Sequence, residues 1–204
     1  MSCQTCGARE LIAFTGLALA FAAGLATLAT VAWLGYRLVE QSRSPAAGIP
    51  PGLISSQQLP AEEGQAAADA IMALTLPDLD GRPQALAQWR GQVLVVNYWA
   101  SWCAPCIEEM PAFSRLQREY AAQGVQFVGI GIDEVANMRT FVARTPVAYP
   151  LLVGDPAGTQ TPALRVKGLP YTLVIGRDGR FAGSRLGRLD EATLETMLRR
   201  LVAQ

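Results

Sequence analysis

The four cysteines of this 204-residue chain form two pairs, Cys3 with Cys6 and Cys103 with Cys106, and both pairs have Cys-x-x-Cys spacing. Two cysteines at this spacing can form a reversible disulfide or contribute to a metal site. Two local pairs so far apart do not resemble the framework of a small disulfide-stapled domain. We therefore interpret them as two separate dithiol sites.

Cys103 lies where an apolar run, Val93–Trp99, gives way to a predicted helix over 103–123. The first turn of a helix carries unpaired N–H groups and the positive end of the helix dipole, which together lower the pKa of a thiol placed there. We therefore predict that Cys103 is the attacking thiol and that Cys106, one turn further into the helix, is the more buried resolving thiol. Ala104 and Pro105 shape the start of the helix between them.

The chain contains no histidine and has a formal net charge of zero. The lack of histidine excludes Cys–His and Ser–His–Asp catalysis, as well as zinc and haem sites that need a histidine from this chain. The scattered charges do not form the basic surface of a nucleic-acid-binding protein. We expect no metal, no nucleic acid and no cofactor other than a redox-active Cys103–Cys106 disulfide.

Residues 11–36 carry no charge and exceed the roughly 20 apolar residues that span a bilayer. Trp33 and Tyr36 lie at the end of the run, where aromatic rings favour the membrane interface. An uncleaved anchor is predicted; the alternatives are a cleaved signal peptide, whose apolar core is usually shorter, and a buried helix, which is rarely apolar on every face. The predicted organisation is a tail (1–10), one transmembrane helix (11–36), a flexible linker (37–68) and a folded domain (69–204).

Hydrophobic patterning in the folded domain predicts an α/β fold with a mixed sheet. The predicted strands are 71–76, Val93–Trp99, 125–132, Tyr171–Ile175 and Phe181–Leu186, with a short edge or extension strand at Leu151–Val153; the predicted helices are 103–123, 134–144 and 190–202. Asp190 is placed to cap the last helix.

The segment from about residue 71 to residue 202 resembles thioredoxins, and more narrowly the TlpA/ResA-like branch of membrane-anchored extracytoplasmic thioredoxins. The residues that carry this resemblance are Trp89-Arg90-Gly91-Gln92, the segment from Val95 to Cys106, Glu109, Pro111, the segment from Gly168 to Ile175, and Asp178-Gly179. The resemblance implies a thioredoxin-like fold, with a mixed central sheet flanked by helices.

The resemblance also implies roles near the dithiol. Pro170 would be cis and lie beside it, and the backbone at Leu169 would pair with a bound substrate. Trp102, which precedes Cys103, would form part of an exposed substrate surface together with Ala104 and Pro105. From the sequence alone, Leu169–Pro170 is an ordinary X–Pro bond before a strand, and few such bonds are cis.

Two polar residues distinguish this chain from cytoplasmic thioredoxins, which keep an acidic residue in the strand before the motif. Asn97 holds that place here and cannot act as a base. The TlpA/ResA-like branch instead has a glutamate three residues after the second cysteine, and Glu109 matches it. A helix puts Glu109 on the same face as Cys106, so a buried Glu109 could take the Cys106 proton. The alternative is a solvated carboxylate, which is our interpretation of Glu108.

The resemblance implies a thiol–disulfide oxidoreductase that reduces disulfides of extracytoplasmic proteins, such as apocytochromes c or copper-site assembly proteins. Its electrons would come from a membrane-embedded donor, and its domain would face the periplasm from the bacterial inner membrane. The alternatives are a thiol oxidant, a copper-site assembly factor, for which the histidine ligand is absent, and an interaction domain with a structural disulfide. A peroxidase of the related peroxiredoxin type does not fit the SWCAPC segment. For Cys3 and Cys6 we expect an unstructured tail. The alternative is a redox role, or a metal site that is completed by a second chain.

Overall fold

The computed structural model describes residues 33, 59–155 and 166–204. The predicted tail with Cys3 and Cys6 lies outside the described residues, as do the predicted anchor, apart from Trp33, and the linker before residue 59. None of the helices in the part of the chain that the structure describes has the length and apolar character needed to span a bilayer.

The described ranges 59–155 and 166–204 contain four α-helices and seven strands. The helices are α1 (Ala61–Met72), α2 (Ala104–Tyr120), α3 (Val135–Arg144) and α4 (Glu191–Val202). The strands are β1 (Thr75–Pro77), β2 (Pro83–Ala85), β3 (Val93–Trp99), β4 (Val125–Gly131), β5 (Leu151–Val153), β6 (Tyr171–Ile175) and β7 (Phe181–Leu186). Short 3₁₀ turns follow β2 and α2, at Leu86–Trp89 and Ala121–Gln123.

The central sheet has five strands in the order β5-β4-β3-β6-β7, and β1 and β2 form a separate antiparallel pair. Strands β3, β4 and β5 run parallel, whereas β6 is antiparallel to both β3 and β7. The mixed sheet that the sequence predicts is therefore confirmed, and Leu151–Val153 is one of its edge strands.

Strand β3 lies in the middle of the sheet, and all seven of its residues are buried. Successive side chains of a strand point to opposite faces, so β3 contributes to two apolar clusters. The disulfide-side cluster includes Val93, Val95 and Trp99 of β3, Cys106, Met110 and Phe113 of α2, and Leu194 and Leu198 of α4. The opposite-side cluster includes Leu94, Val96 and Tyr98 of β3, Ala67, Ala68 and Ile71 of α1, and Leu173 of β6. Asn97 lies in register with the disulfide-side residues.

Helix α1 is absent from the sequence prediction, which places a linker up to residue 68 and a strand over 71–76. The strand prediction is wrong in its first part, because Ile71 and Met72 end α1 and the strand begins only at Thr75. The alanine-rich segment AAADAIM favours a helix, and its apolar residues Ala67, Ala68 and Ile71 are buried. Tertiary packing of this face decides the structure, and the folded part therefore begins before residue 69.

The other predicted ends agree closely with the structure. Gly124, which closes the α2 segment, adopts the left-handed conformation with φ of 75°. The Asp190 carboxylate accepts a hydrogen bond from the Thr193 N–H, as predicted for the cap of α4.

Candidate active site

Cys103 and Cys106 form a disulfide at the start of α2. Cys103 is the N-cap residue, and its carbonyl accepts hydrogen bonds from the backbone N–H groups of Cys106 and Ile107. Cys103 retains 6% exposure whereas Cys106 has none, which agrees with the predicted order of burial. The position of Cys103 at the positive end of a 17-residue helix would stabilise a thiolate in the reduced protein.

The surface beside Cys103 is open on the side of Trp102, which is 69% exposed. Ala104 and Pro105 are exposed as well. These three residues can therefore be reached by a second protein, while their predicted role as a substrate surface stays a prediction.

Asp133 holds the turn that leads from β3 to Cys103. Its Oδ2 accepts hydrogen bonds from the backbone N–H of Ser101 at 3.0 Å and from the Ser101 hydroxyl. Partial burial opposes ionisation, but the hydrogen bonds from Ser101, Asn137 and Glu134 outweigh it and lower the pKa of Asp133. Sequence reasoning missed this residue; its place just after β4, at the edge where the parallel strands end, was the available signal.

The Leu169–Pro170 bond is cis, as the resemblance implies. Pro170 directly precedes β6, whose Tyr171 pairs with Tyr98 near the end of β3. Pro170 therefore lies at the end of the sheet from which the Cys103 turn emerges. Leu169 packs against the disulfide-side cluster and is half-buried, and Pro170 is buried, so Leu169 is the more accessible of the two.

Glu109 is the charged residue that the structure brings inside this site. It lies three residues after Cys106 on the same helix and is 2% exposed. Its Oε1 accepts a hydrogen bond from Asn97 Nδ2 at 2.8 Å, and its Oε2 accepts one from the Leu189 N–H at 3.0 Å. The carboxyl group is thus held between the central strand and the segment that leads into α4.

Burial raises the pKa of Glu109 to about 7, although the hydrogen bonds from Leu189 and Asn97 and the charge of Arg188 favour ionisation. A carboxyl group with this pKa can both accept and release a proton at neutral pH. Its neighbour Glu108 is exposed and lies 3.5 Å from Arg188 in a surface ion pair. This contrast agrees with the different interpretations of the two glutamates, while the catalytic role of Glu109 stays a prediction.

Thr172, on β6, completes the polar group and was missed by sequence reasoning. Its Oγ1 lies 3.1 Å from Asn97 Nδ2, and both residues are almost fully buried. Asn97 and Thr172 are paired across β3 and β6, which explains their contact. Asn97 was already identified from the sequence, in the place where cytoplasmic thioredoxins keep an acidic residue.

Among the described residues, no group of three or more Cys, Asp or Glu side chains is arranged to bind a metal. The groups that the structure does bring together here are the Cys103–Cys106 dithiol and the buried carboxyl group of Glu109.

The AhpC/TSA family model matches residues 67–182. The thiol-disulfide oxidoreductase ResA of Geobacillus thermodenitrificans is 33% identical over 106 residues, which cover 52% of this chain and 60% of that relative. The thioredoxin-like protein YneN of Bacillus subtilis is 27% identical over 180 residues, 86% of this chain and 95% of that protein. A crystal structure of a thiol:disulfide interchange protein from Chlorobium tepidum superimposes with a TM-score of 0.58 at 25% identity, over 63% of this chain and 92% of that one.

Proposed function

The chain belongs to the AhpC/TSA family and to its TlpA/ResA-like thiol–disulfide oxidoreductases, and on that premise we propose that it reduces disulfides in extracytoplasmic proteins. The observation that carries this proposal is the Cys103–Cys106 disulfide at the start of α2, with buried Glu109 on the same helix face as Cys106. The dithiol alone would carry the two electrons, without a further cofactor.

In the proposed reaction the reduced Cys103 thiolate attacks one sulfur of a substrate disulfide. A mixed disulfide forms between Cys103 and the substrate, and the first substrate thiolate leaves. Cys106 then loses its proton and attacks the Cys103 sulfur, which releases the second substrate thiolate and closes the Cys103–Cys106 disulfide. The substrate disulfide gains two electrons, and its two thiolates take up two protons.

The difficult step for a buried thiol is the loss of its proton, because desolvation disfavours the thiolate. We assign Glu109 as the acceptor of the Cys106 proton. Its pKa of about 7 suits this role, since a carboxyl group with that pKa is partly ionised at neutral pH and can pass the proton on.

Substrates would meet the domain at Trp102, Ala104 and Pro105, and their backbone would pair with Leu169 next to cis Pro170. Apocytochromes c and copper-site assembly proteins are the proposed substrate classes, as the family resemblance implies. The uncharged segment 11–36 supports a single-pass membrane anchor. The family resemblance is the basis for proposing the bacterial inner membrane, a domain on the periplasmic side and a membrane-embedded electron donor. A topology reporter fused to the C-terminus tests this placement, and a cytoplasmic signal would contradict it.

Two alternatives use the same fold. A thiol oxidant would run the same exchange in the opposite direction. A non-enzymatic copper-site assembly factor would need a further soft ligand beside the two cysteines, and the chain has no histidine to provide one.

The proposed function is tested with the full chain in detergent, reduced beforehand and mixed with a peptide that contains one disulfide. We expect rapid reduction by the wild type, and for Cys103→Ser only the rate of buffer alone. Cys106→Ser should instead accumulate the mixed disulfide, because its resolving thiol is missing. The matched control Glu108→Gln should keep the wild-type rate.

Two results would count against the proposal. Activity retained by Cys103→Ser would exclude the mechanism. Faster oxidation of a dithiol peptide than reduction of its disulfide form, at equal concentrations, would favour the oxidant alternative.

A further inference from the structure

Asn97 interrupts an apolar stripe at the centre of the molecule. On the disulfide side of β3 the residues are Val93, Val95, Asn97 and Trp99, and all of them are buried. An amide with 1% exposure is costly unless it is hydrogen-bonded, so the position of Asn97 needs a physical explanation.

One end of the Asn97 amide contacts both of its polar neighbours. Nδ2 donates one hydrogen to Glu109 Oε1 at 2.8 Å and one to Thr172 Oγ1 at 3.1 Å. The other end, Oδ1, is buried and has no hydrogen-bond partner among the described residues. The orientation of the amide is therefore set by Glu109 and Thr172.

This orientation suits an ionised Glu109, because a carboxylate can only accept hydrogen bonds. Oε2 accepts from the Leu189 N–H, a backbone donor that cannot become an acceptor, whereas Oε1 faces the side-chain amide of Asn97, which can turn. A proton that arrives on Glu109 is therefore best accommodated on Oε1. Nδ2 cannot accept that hydrogen, whereas Oδ1 can. A half-turn of the terminal amide would place Oδ1 where Nδ2 now lies, with little change in shape.

Thr172 can serve both orientations, since a hydroxyl group accepts from Nδ2 and donates to Oδ1 equally well. We propose that Asn97 is a positioning residue for the proton transfer, and that its Thr172-anchored amide turns over as Glu109 gains or loses its proton. This inference rests on the proposed function, in which Glu109 handles the Cys106 proton.

Other titratable or charged groups also act on Glu109. Arg188, in the segment before α4, favours its ionised form. Tyr149, before β5, has its pKa raised by burial and by the charge of Glu109, so it stays neutral. Cys106 lies three residues before Glu109 on the same face of the helix, and it is held in the disulfide here. None of these groups offers Oε1 a hydrogen bond, which leaves Asn97 as its partner among the described residues.

The test is solution NMR of the isotopically labelled, oxidised full chain in detergent, from about pH 5 to about pH 9, which brackets the Glu109 titration. We expect the Asn97 side-chain amide resonances and the Glu109 carboxyl carbon to shift with the same midpoint. The NOE between the Asn97 amide hydrogens and the Thr172 methyl group should be present at high pH and lost at low pH. In Glu109→Gln, whose amide can donate as a protonated carboxyl does, the low-pH spectrum should persist at every pH.

Two variants serve as a matched pair. Thr172→Val keeps the shape of the side chain but removes the anchor, so the pH-dependent change in the amide resonances should be lost or broadened. Ser184→Ala removes a buried hydroxyl on β7 that binds the Leu59 N–H and should leave the change intact.

An NOE that persists on both sides of the Glu109 midpoint would overturn the inference, and so would a Glu109 that does not titrate in this range. Neither result decides the peptide reduction assay. Conversely, the protein could fail the peptide reduction assay and still show the pH-dependent change at Asn97. The proposed function would then be wrong, while the response of Asn97 to the Glu109 proton would stand.

Discussion

The two faces of the central sheet bury different kinds of side chain. The opposite-side cluster joins α1 to the sheet through apolar and aromatic side chains, such as Ile71, Val96 and Leu173. The disulfide-side cluster packs α2 and α4 on the other face, and there Asn97, Glu109 and Thr172 are buried among apolar side chains. Both faces therefore bury β3 completely. In the part of the chain that the structure describes, only the disulfide side has a row of hydrogen-bonded polar side chains, which ends at Glu109 on the helix that carries the dithiol.

On one face burial mainly stabilises the fold, whereas on the other it also changes the pKa of a side chain. Among the described residues, the opposite side buries no carboxyl group, and it gains stability from the apolar surface that its side chains bury. The disulfide side instead holds a carboxyl group whose ionisation is opposed by burial, and this opposition places its pKa near neutrality. Such an arrangement is typical of a site where a proton must be moved.

The largest expected effect comes from giving the opposite face a polar residue of its own. Val96 is fully buried there and is paired with Val128 and Leu173. We expect Val96→Asn to lower the free energy of unfolding by about 4 kcal/mol, because apolar burial is lost and the new amide has no partner. Urea denaturation of the oxidised protein measures this change.

The control for that variant is Val96→Ala, which removes apolar burial without adding a polar group. We expect a loss of about 2 kcal/mol, so the difference between the two variants gives the cost of an unpartnered amide. If Val96→Asn cost no more than Val96→Ala, the two faces would tolerate polar groups equally and the contrast between them would fail.

A smaller effect is expected from the pH dependence that Glu109 gives to the stability. Its pKa rises from 4.5 to about 7 on folding, so between these values the folded protein binds more protons than the unfolded chain. The contribution of Glu109 to the free energy of unfolding is therefore fully present below about pH 4.5 and is lost as the pH rises through about 7. The total change is about 3 kcal/mol. Glu109→Gln should remove this slope in urea unfolding measured across the range.

Glu108→Gln is the matched control for the same measurement. Glu108 is exposed and its ion pair with Arg188 lies at the surface, so its removal should change stability by less than about 1 kcal/mol and leave the slope in place. If the free energy of unfolding depended on pH in the same way in the wild type and in Glu109→Gln, then the pKa of Glu109 would not be raised by its burial, and this part of the comparison would fail.

Much of this arrangement could be predicted from local signals. The β-branched and aromatic run Val93–Trp99 indicates a buried strand, and the dithiol after it indicates a helix start, as the structure confirms. The cis bond before Pro170 followed from the family resemblance, since an X–Pro bond by itself does not indicate a cis conformation. The helical spacing of Cys106 and Glu109 predicted their shared face.

The features that were missed depend on contacts between distant parts of the chain. Helix α1 is defined by the burial of Ala67 and Ile71 against the sheet, which a short apolar run does not indicate. Thr172 and the Leu189 N–H reach Asn97 and Glu109 only because β6 pairs with β3 and the start of α4 folds back over α2. No pattern within either segment predicts these hydrogen bonds.

The most direct test of the central claim, that Glu109 and Cys106 share a proton, is the titration of the two thiols in the reduced protein. Thiolate absorbance or the NMR shifts of the cysteine β-carbons can follow each thiol in the wild type and in Glu109→Gln. We expect Cys106 to titrate in coupled steps in the wild type, and its pKa to fall by about one unit in Glu109→Gln, because the nearby carboxylate disfavours the thiolate. Identical titration curves for Cys106 in the two proteins would contradict the account.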